Sequence, residues 1–308
     1  MENKAWGSSG GRAGWGEAFM STMHKPIDEE TRTRETFELQ QRMAEIQHKL
    51  LVLSGKGGVG KSTVAVNLAV ALAKAGRQVG LLDVDIHGPS VPKLMGLEGQ
   101  TVHSDGRAIL PVKVADNLAV MSIGFLLASK ADAVVWRGPL KYNVIRQFLK
   151  DVAWGKLDYL VIDCPPGTGD EPLSVAQLAG PEAEALIVTT PQELSICDVR
   201  RCVTFCRQVN LPVLGVLENM SGFVCPQCGA RIDLFKVGGG ETLARETNVP
   251  FLGRIPFDPE IVVSGDSGVP FGGRDVAGPA LAALESVVER LLSREQAADQ
   301  GRKTEKVH

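Results

Sequence analysis

Three stretches of the chain carry residue types at spacings that suit chemistry on phosphates and metals. The first is Gly55-Lys56-Gly57-Gly58-Val59-Gly60-Lys61-Ser62-Thr63, which fits G-x-x-x-x-G-K-[ST] between an apolar run and an amphipathic one. Glycines there let backbone N–H groups turn inward around phosphate oxygens with no Cβ in the way. A helix opening at Lys61 adds the partial positive charge of its N-terminus. Lys61 is placed to reach the β- and γ-phosphates, and the Ser62 hydroxyl to ligate Mg²⁺. Residues Gly55 to Thr63 therefore predict a cradle for ATP with Mg²⁺.

The second stretch is acidic and comes in two parts. Leu82-Asp83-Val84-Asp85-Ile86-His87-Gly88-Pro89-Ser90 puts Asp83 at the carboxyl end of a strand, where Mg²⁺ and an attacking water belong beside a P-loop. Leu160-Val161-Ile162-Asp163 is an apolar strand closed by Asp, the Walker B form, and Asp163 is expected to hold the Mg²⁺ shell. The stiff, glycine-hinged run Pro165-Pro166-Gly167-Thr168-Gly169 suits a loop that senses the γ-phosphate. His87 reads as an exposed switch-loop residue rather than a metal ligand.

The third stretch is Cys225-Pro226-Gln227-Cys228-Gly229, two thiolates spaced to grip one metal centre. No cysteine follows Cys228 and the only later histidine is His308, so one chain offers half a site. A second copy on a two-fold axis would supply four sulfurs, which suit either Zn²⁺ or a [4Fe–4S] cluster. Proline and glycine around the pair make a thioredoxin-like helix start less natural. Cys164, Cys197, Cys202 and Cys206 are expected to be buried small hydrophobes.

Elements that position these residues follow from the hydrophobic pattern. The apolar run His48–Leu53 ends in the glycine turn as a buried parallel strand does, and Val64, Leu68, Ala71 and Leu72 predict a helix over Lys61–Ala75 closed by Gly76. Further strands are predicted at Val79–Leu82, Leu118–Ser122, Tyr159–Ile162, Ala185–Thr189, Val213–Leu217 and Phe251–Ile255. Helices are predicted at Leu140–Val152, Leu194–Val209 and about Gly278–Ser293. This alternation predicts an α/β protein with the three-layer P-loop NTPase fold, a mainly parallel sheet with helices on both faces. Residues 1–47 read as a flexible leader with a possible short helix from Arg34 to Gln47, residues 48–293 as one ATPase domain, and 294–308 as a polar tail.

Composition narrows the class. The 308 residues are 44% hydrophobic and 22% charged, with a formal net charge of −3, which gives no reason to expect nucleic acid or an anionic membrane as partner. No apolar run reaches a membrane span, and the first residues lack the apolar core of a signal peptide. Six cysteines without secretory features point to reduced thiols and a cytoplasmic setting.

Together SGKGGVGKST, LDVDIHGPS, VWRGP (Val135–Pro139), VIDCPPGTGD, ENMSGFVCPQCG, GGGE (Gly238–Glu241) and IPFDPEIVVSGDSG resemble the Mrp/ApbC family of iron–sulfur cluster carrier ATPases, a branch of the MinD/ParA-like deviant P-loop proteins. The resemblance runs from about Lys49 to Ala283. It implies a homodimer that binds ATP in each subunit, holds a labile [4Fe–4S] cluster between its Cys225/Cys228 pairs and passes it to apo-proteins. It implies that Lys56 reaches the partner's nucleotide, that Asp85 orients the hydrolytic water while Asp83 supports Mg²⁺ through water, and that Asn219 reads adenine. Asn219 alone would read as a plain turn residue. Unlike some relatives the chain has no N-terminal cysteine cluster, its first cysteine being Cys164. Two other classes share the loop. A positioning ATPase of the MinD/ParA type, here with a structural zinc, needs no cysteine pair, and an electron donor like the nitrogenase iron protein spaces its cluster ligands far apart.

Overall fold

Short runs rich in Val, Ile and Leu make the strands, and they pair as one mainly parallel sheet. The computed structural model describes residues 28–126, 138–225, 227–233, 236–273 and 278–305. Helix α1 (Glu29–Ala44) leads into β1 (Ile46–Leu53), the phosphate loop and α2 (Lys61–Lys74). Then come β2 (Val79–Asp83), the short α3 (Val91–Leu94), a two-residue hairpin of β3 (His103–Ser104) and β4 (Ile109–Leu110), and β5 (Val112–Ala115) with β6 (Leu118–Ser122). The second half continues with α4 (Gly138–Lys150), β7 (Leu157–Asp163), α5 (Asp170–Ala179), β8 (Ala183–Thr189), α6 (Glu193–Gln208) and β9 (Val213–Glu218). A small hairpin, β10 (Phe223–Val224) with β11 (Arg231–Ile232), precedes α7 (Gly239–Glu246), β12 (Phe251–Arg254), α8 (Pro259–Ser267) and α9 (Pro279–Glu305).

The eight-stranded sheet runs β12-β9-β8-β1-β7-β2-β6-β5 and is parallel except where β5 meets β6. Leu50–Leu53, Tyr159–Asp163 and Ala185–Thr189 are buried at every consecutive position. Successive strand side chains point to opposite faces, so unbroken burial requires helices on both. The three-layer α/β fold is therefore as expected. No helix among the described residues is long and apolar enough to cross a membrane.

Two helices differ most from the sequence pattern. α1 begins at Glu29, earlier than Arg34, because Asp28 caps it by accepting the Thr31 N–H at 2.7 Å, and it buries Leu39 and Met43 in the core. The last helix continues past Ser293 to Glu305, and Glu295 is buried against Arg77 (2.8 Å) and Tyr159 (3.4 Å). Within the Val135–Pro139 motif, Val135, Trp136 and Arg137 lie outside the described residues, and the side chains of Gly138 and Pro139 are likewise not described.

Candidate functional site

Parallel register brings the chemistry to one end of the sheet. Asp83 closes β2 and Asp163 closes β7, and the two are direct cross-strand partners, with Asp83 also paired to Ser122 of β6. β1 lies on the other side of β7, so the phosphate loop that leaves Leu53 rises beside Asp163.

The loop has the conformation that its glycines permit. Gly58 and Gly60 both have φ of +79°, and Gly60 caps α2 from the left-handed region. A Cβ on Gly60 would stand 2.3 Å from Asn219 Nδ2, and one on Gly55 would collide with the Asp198 backbone at 2.4 Å. The Ser54 hydroxyl ties the loop by donating to Lys56 O at 2.9 Å. Lys56 is half-buried, Gly57 and Gly58 are exposed, Val59 is buried, and Ser62 and Thr63 are half-buried at the helix start.

Lys61 is 6% exposed, and its ammonium lies 2.5 Å from Asp163 Oδ1 and 3.4 Å from Ser62 Oγ. Burial pulls its pKa down, but the Asp163 charge and hydrogen bond outweigh that and hold it above the ordinary lysine value. Burial pushes the Asp163 carboxyl up while Lys61 pulls it back down. These directions oppose each other, and the 2.5 Å contact decides for an ion pair. Asp163 Oδ2 is buried and has no hydrogen-bond partner. An oxygen of that kind is costly unless something binds it, and a hydrated Mg²⁺ beside Ser62 fits.

Asp83 is placed differently. Its Oδ1 accepts the Asp85 N–H at 3.0 Å, and its Oδ2 accepts Ser122 Oγ at 2.9 Å and the Val91 N–H at 3.3 Å. Burial, then the neighbouring Asp163 charge, push it up to about 8. It shapes the turn that carries Asp85, whose own Oδ1 accepts the Gly88 N–H at 3.3 Å. Asp85 is half-buried. His87 is exposed, as expected, and meets Lys141 Nζ at 2.8 Å.

Asn219 donates from Nδ2 to Val59 O at 2.9 Å, so it braces the phosphate loop. With Thr63 it opens onto a small apolar crevice lined by Ile255, Ile261, Phe271 and Leu284, which sequence reasoning did not single out. A larger cavity, about 1040 Å³, lies elsewhere, between α1, α4 and the end of α5.

Cys225 and Cys228 sit at the tip of the β10–β11 hairpin. The turn is closed by Cys225 N–H to Ala230 O (2.9 Å) and Gly229 N–H to Cys225 O (2.8 Å), with Gly229 at φ +71°. Cys225 is half-buried and Cys228 exposed. Backbone N–H groups of Cys228 and Gln227, then the Cys228 side chain, lower the Cys225 pKa and favour its thiolate. Among the described residues no group of three or more His, Cys, Asp or Glu side chains converges on a metal position. Of the other cysteines, Cys164, Cys202 and Cys206 are buried, but Cys197 is exposed, because it falls on the outer side of α6.

Also missed from the sequence was Glu218, a fully buried carboxylate at the end of β9. No local pattern marks it, since its partners lie at Ser221, Gly238, Gly240 and Arg254.

Comparison with known proteins agrees with this geometry. Residues 45–292 match the family described as ParA, NUBPL iron-transfer P-loop NTPase. The chain is 51% identical over 255 residues to the cytosolic Fe-S cluster assembly factor NUBP2 of Bos taurus, covering 82% of this chain and 94% of that protein. It is 50% identical over 233 residues to the iron-sulfur cluster carrier protein of Methanocaldococcus jannaschii, covering 76% and 80%. Among solved structures, a nucleotide-binding protein of Archaeoglobus fulgidus in complex with ADP superposes with a TM-score of 0.68 at 45% identity, covering 76% of this chain and 91% of that one. The cell division ATPase MinD of Pyrococcus furiosus gives 0.59 at 25% identity, over 80% and 98%. The protein thus belongs to the NUBPL iron-transfer P-loop NTPase family.

Proposed function

We propose that this chain is a cytoplasmic ATP hydrolase that carries iron–sulfur clusters, with two copies holding one labile [4Fe–4S] cluster between their Cys225/Cys228 pairs and passing it to apo-proteins. The observation that carries the reading is a cysteine pair, one sulfur favoured as thiolate, on a hairpin that follows closely after Asn219, the residue that braces the phosphate loop. The curated relatives named above as cluster carrier and cytosolic assembly factor support it. A carrier needs ligands near the surface, and Cys228 is exposed.

Each candidate residue then has a task. Backbone N–H groups of Gly55 to Thr63 cradle the phosphates, and Lys61 turns from Asp163 to the β- and γ-oxygens. Ser62 and the free oxygen of Asp163 hold Mg²⁺, which when bound offsets charge on the phosphates. Asp83 steadies the turn on which Asp85 orients the hydrolytic water. Asn219 reads the base, and Lys56 serves the nucleotide of the partner copy. Acceptor proteins follow from the carrier role.

Anaerobic purification and iron–sulfide reconstitution test this. The protein should turn brown with broad absorption near ~400 nm, from general cluster chemistry. Cys225→Ala and Cys228→Ala should each lose the cluster and still bind ATP, while Cys202→Ala keeps it. Stoichiometric iron and sulfide in the double variant would overturn the carrier reading. Zinc alone in the wild type under iron loading would make the site structural.

A further inference from the structure

Glu218 closes β9 with a carboxylate that has no exposure to solvent. Such a group must be compensated from within the protein, and its partners come from both ends of one excursion of the chain. Oε1 accepts Ser221 Oγ at 2.5 Å and the Gly238 N–H at 3.0 Å, and Oε2 accepts the Gly240 N–H at 2.5 Å. Ser221 is where the chain departs for the cysteine hairpin, and Gly238 is where it returns to open α7. Arg254 Nε adds countercharge at 3.4 Å. One side chain ties the neck of the loop that carries Cys225 and Cys228.

The adjoining residues reach the opposite way. Asn219 donates to Val59 O, and Met220 Cε would lie 3.5 Å from a Cβ on Gly60. Between these anchors Met220 (φ +55°) and Gly222 (φ +74°) are both left-handed. A methionine adopts that conformation only when its surroundings hold it there. Beyond the bend, Ser221 N–H donates to Ile255 O at 3.0 Å, Phe257 N–H to Gly222 O at 2.8 Å, and the Phe223 and Phe257 rings meet edge-on at 6.3 Å. The hairpin base is thus held to the strand end that also lines the crevice beside Asn219.

We infer that Glu218 is a positioning residue for cluster carriage: it fixes the neck of the cysteine hairpin, and with Asn219 it makes Glu218–Gly222 the link through which the phosphate loop and the cysteine pair sense each other. Its purpose rests on the carrier reading, but its geometry does not. A shift of Val59 and Gly60 around a nucleotide pulls on Asn219 and Met220. The Glu218 carboxylate then passes that pull to Ser221 on one side of the neck and to Gly238 on the other.

The test measures alkylation rates of Cys225 and Cys228 by mass spectrometry in the cluster-free protein, with and without MgATP. Ser221→Ala removes one strand of the tie from a buried but small side chain, and Glu218→Gln sets an amide against backbone N–H donors. MgATP should change the wild-type rates by at least about fivefold, the low end of ordinary coupling between sites, and Ser221→Ala should shrink that response to within about twofold while ATP affinity stays within about threefold. A merely structural role would leave the nucleotide response intact. An unresponsive wild type, or a Ser221→Ala variant that responds like the wild type, overturns the inference. If Glu218→Gln does not fold, Ser221→Ala still decides. Iron content of the reconstituted wild type separates the two readings. Responsive thiols without bound iron would sink the carrier and keep the link, whereas bound iron without a response would do the reverse.

Discussion

Lys61 and Asp163 form a buried ion pair at 2.5 Å, and the lysine is also the residue placed to meet phosphate. Its charge is already desolvated, so a phosphate oxygen need only replace Asp163 as its partner. Lys61→Ala should lower the ATP turnover by at least about a hundredfold, the usual cost of losing one fixed group at developing charge. Wild-type turnover in a folded, Mg²⁺-loaded variant would refute that role. Asp83 supports a pH prediction. Burial and Asp163 raise it to about 8 in the folded protein, against about 3.9 for a free carboxyl. Between these values the folded state binds more protons than the unfolded one, so stability without nucleotide should fall as pH rises toward 8. Asp83→Asn should flatten that slope in urea titrations run at several pH values, and an unchanged slope would show that the titration lies elsewhere. At this scale the phosphate loop was legible because it is a local backbone conformation that only glycines permit. Asp163 was legible because a strand end dictates where it points. Glu218 was not, since its partners are brought together only by the fold. Cys197 was misjudged, because three cysteines on one helix cannot all face inward at spacings of five and four.

The elements themselves followed the sequence closely wherever apolar runs were long. β6 matched its expected span, and the other expected strands shifted by no more than two residues at either end. α1 shows why the rest was harder. Its buried residues are Leu39 and Met43 alone, and Phe37 is 58% exposed, so hydrophobic periodicity is weak. What fixes it is a polar clasp. Lys49 of β1, 1% exposed, donates from Nζ to Met43 O (3.0 Å), Ile46 O (3.4 Å) and Glu182 Oε2 (3.2 Å), while Glu35 pairs with Arg146 (2.5 Å) and Lys150 (3.4 Å) of α4. Lys49→Met keeps the bulk but strips that donor, and it should cost about 2 kcal/mol in urea unfolding, with earlier amide exchange in α1. Stability equal to wild type would show that the clasp contributes nothing. Likewise α9 looked spent at Ser293, yet Glu295 is anchored by Arg77 and Tyr159 across the domain, a long-range pairing that no window of sequence reveals.

At the scale of the whole molecule the decisive feature is incompleteness. One chain presents two sulfurs, no third or fourth ligand converges with them among the described residues, and a cluster of the [4Fe–4S] type takes four thiolates. A two-fold axis is the simplest supply, because the same hairpin meets itself. In the proposed dimer Lys56, half-buried at the loop's start, is the residue that would meet the nucleotide of the second copy. Dimerisation can be separated from binding within one chain by counting. Wild-type chains mixed before assembly with an equal amount of the Cys225→Ala/Cys228→Ala variant form homodimers and mixed dimers at random. About a quarter of those dimers then contain two intact pairs, as random pairing on a two-fold axis requires. If the cluster needs both pairs, iron per total protein should drop to about a quarter of the wild-type value, and it should scale with the square of the wild-type fraction. If each chain binds its metal alone, iron should fall only to about half and scale linearly, as it would for a site with no symmetry partner. ATP binding should stay constant across the mixture, since the phosphate loop is intact in every chain. A linear iron curve over that constant background would place the metal within single chains and remove the shared site from the mechanism.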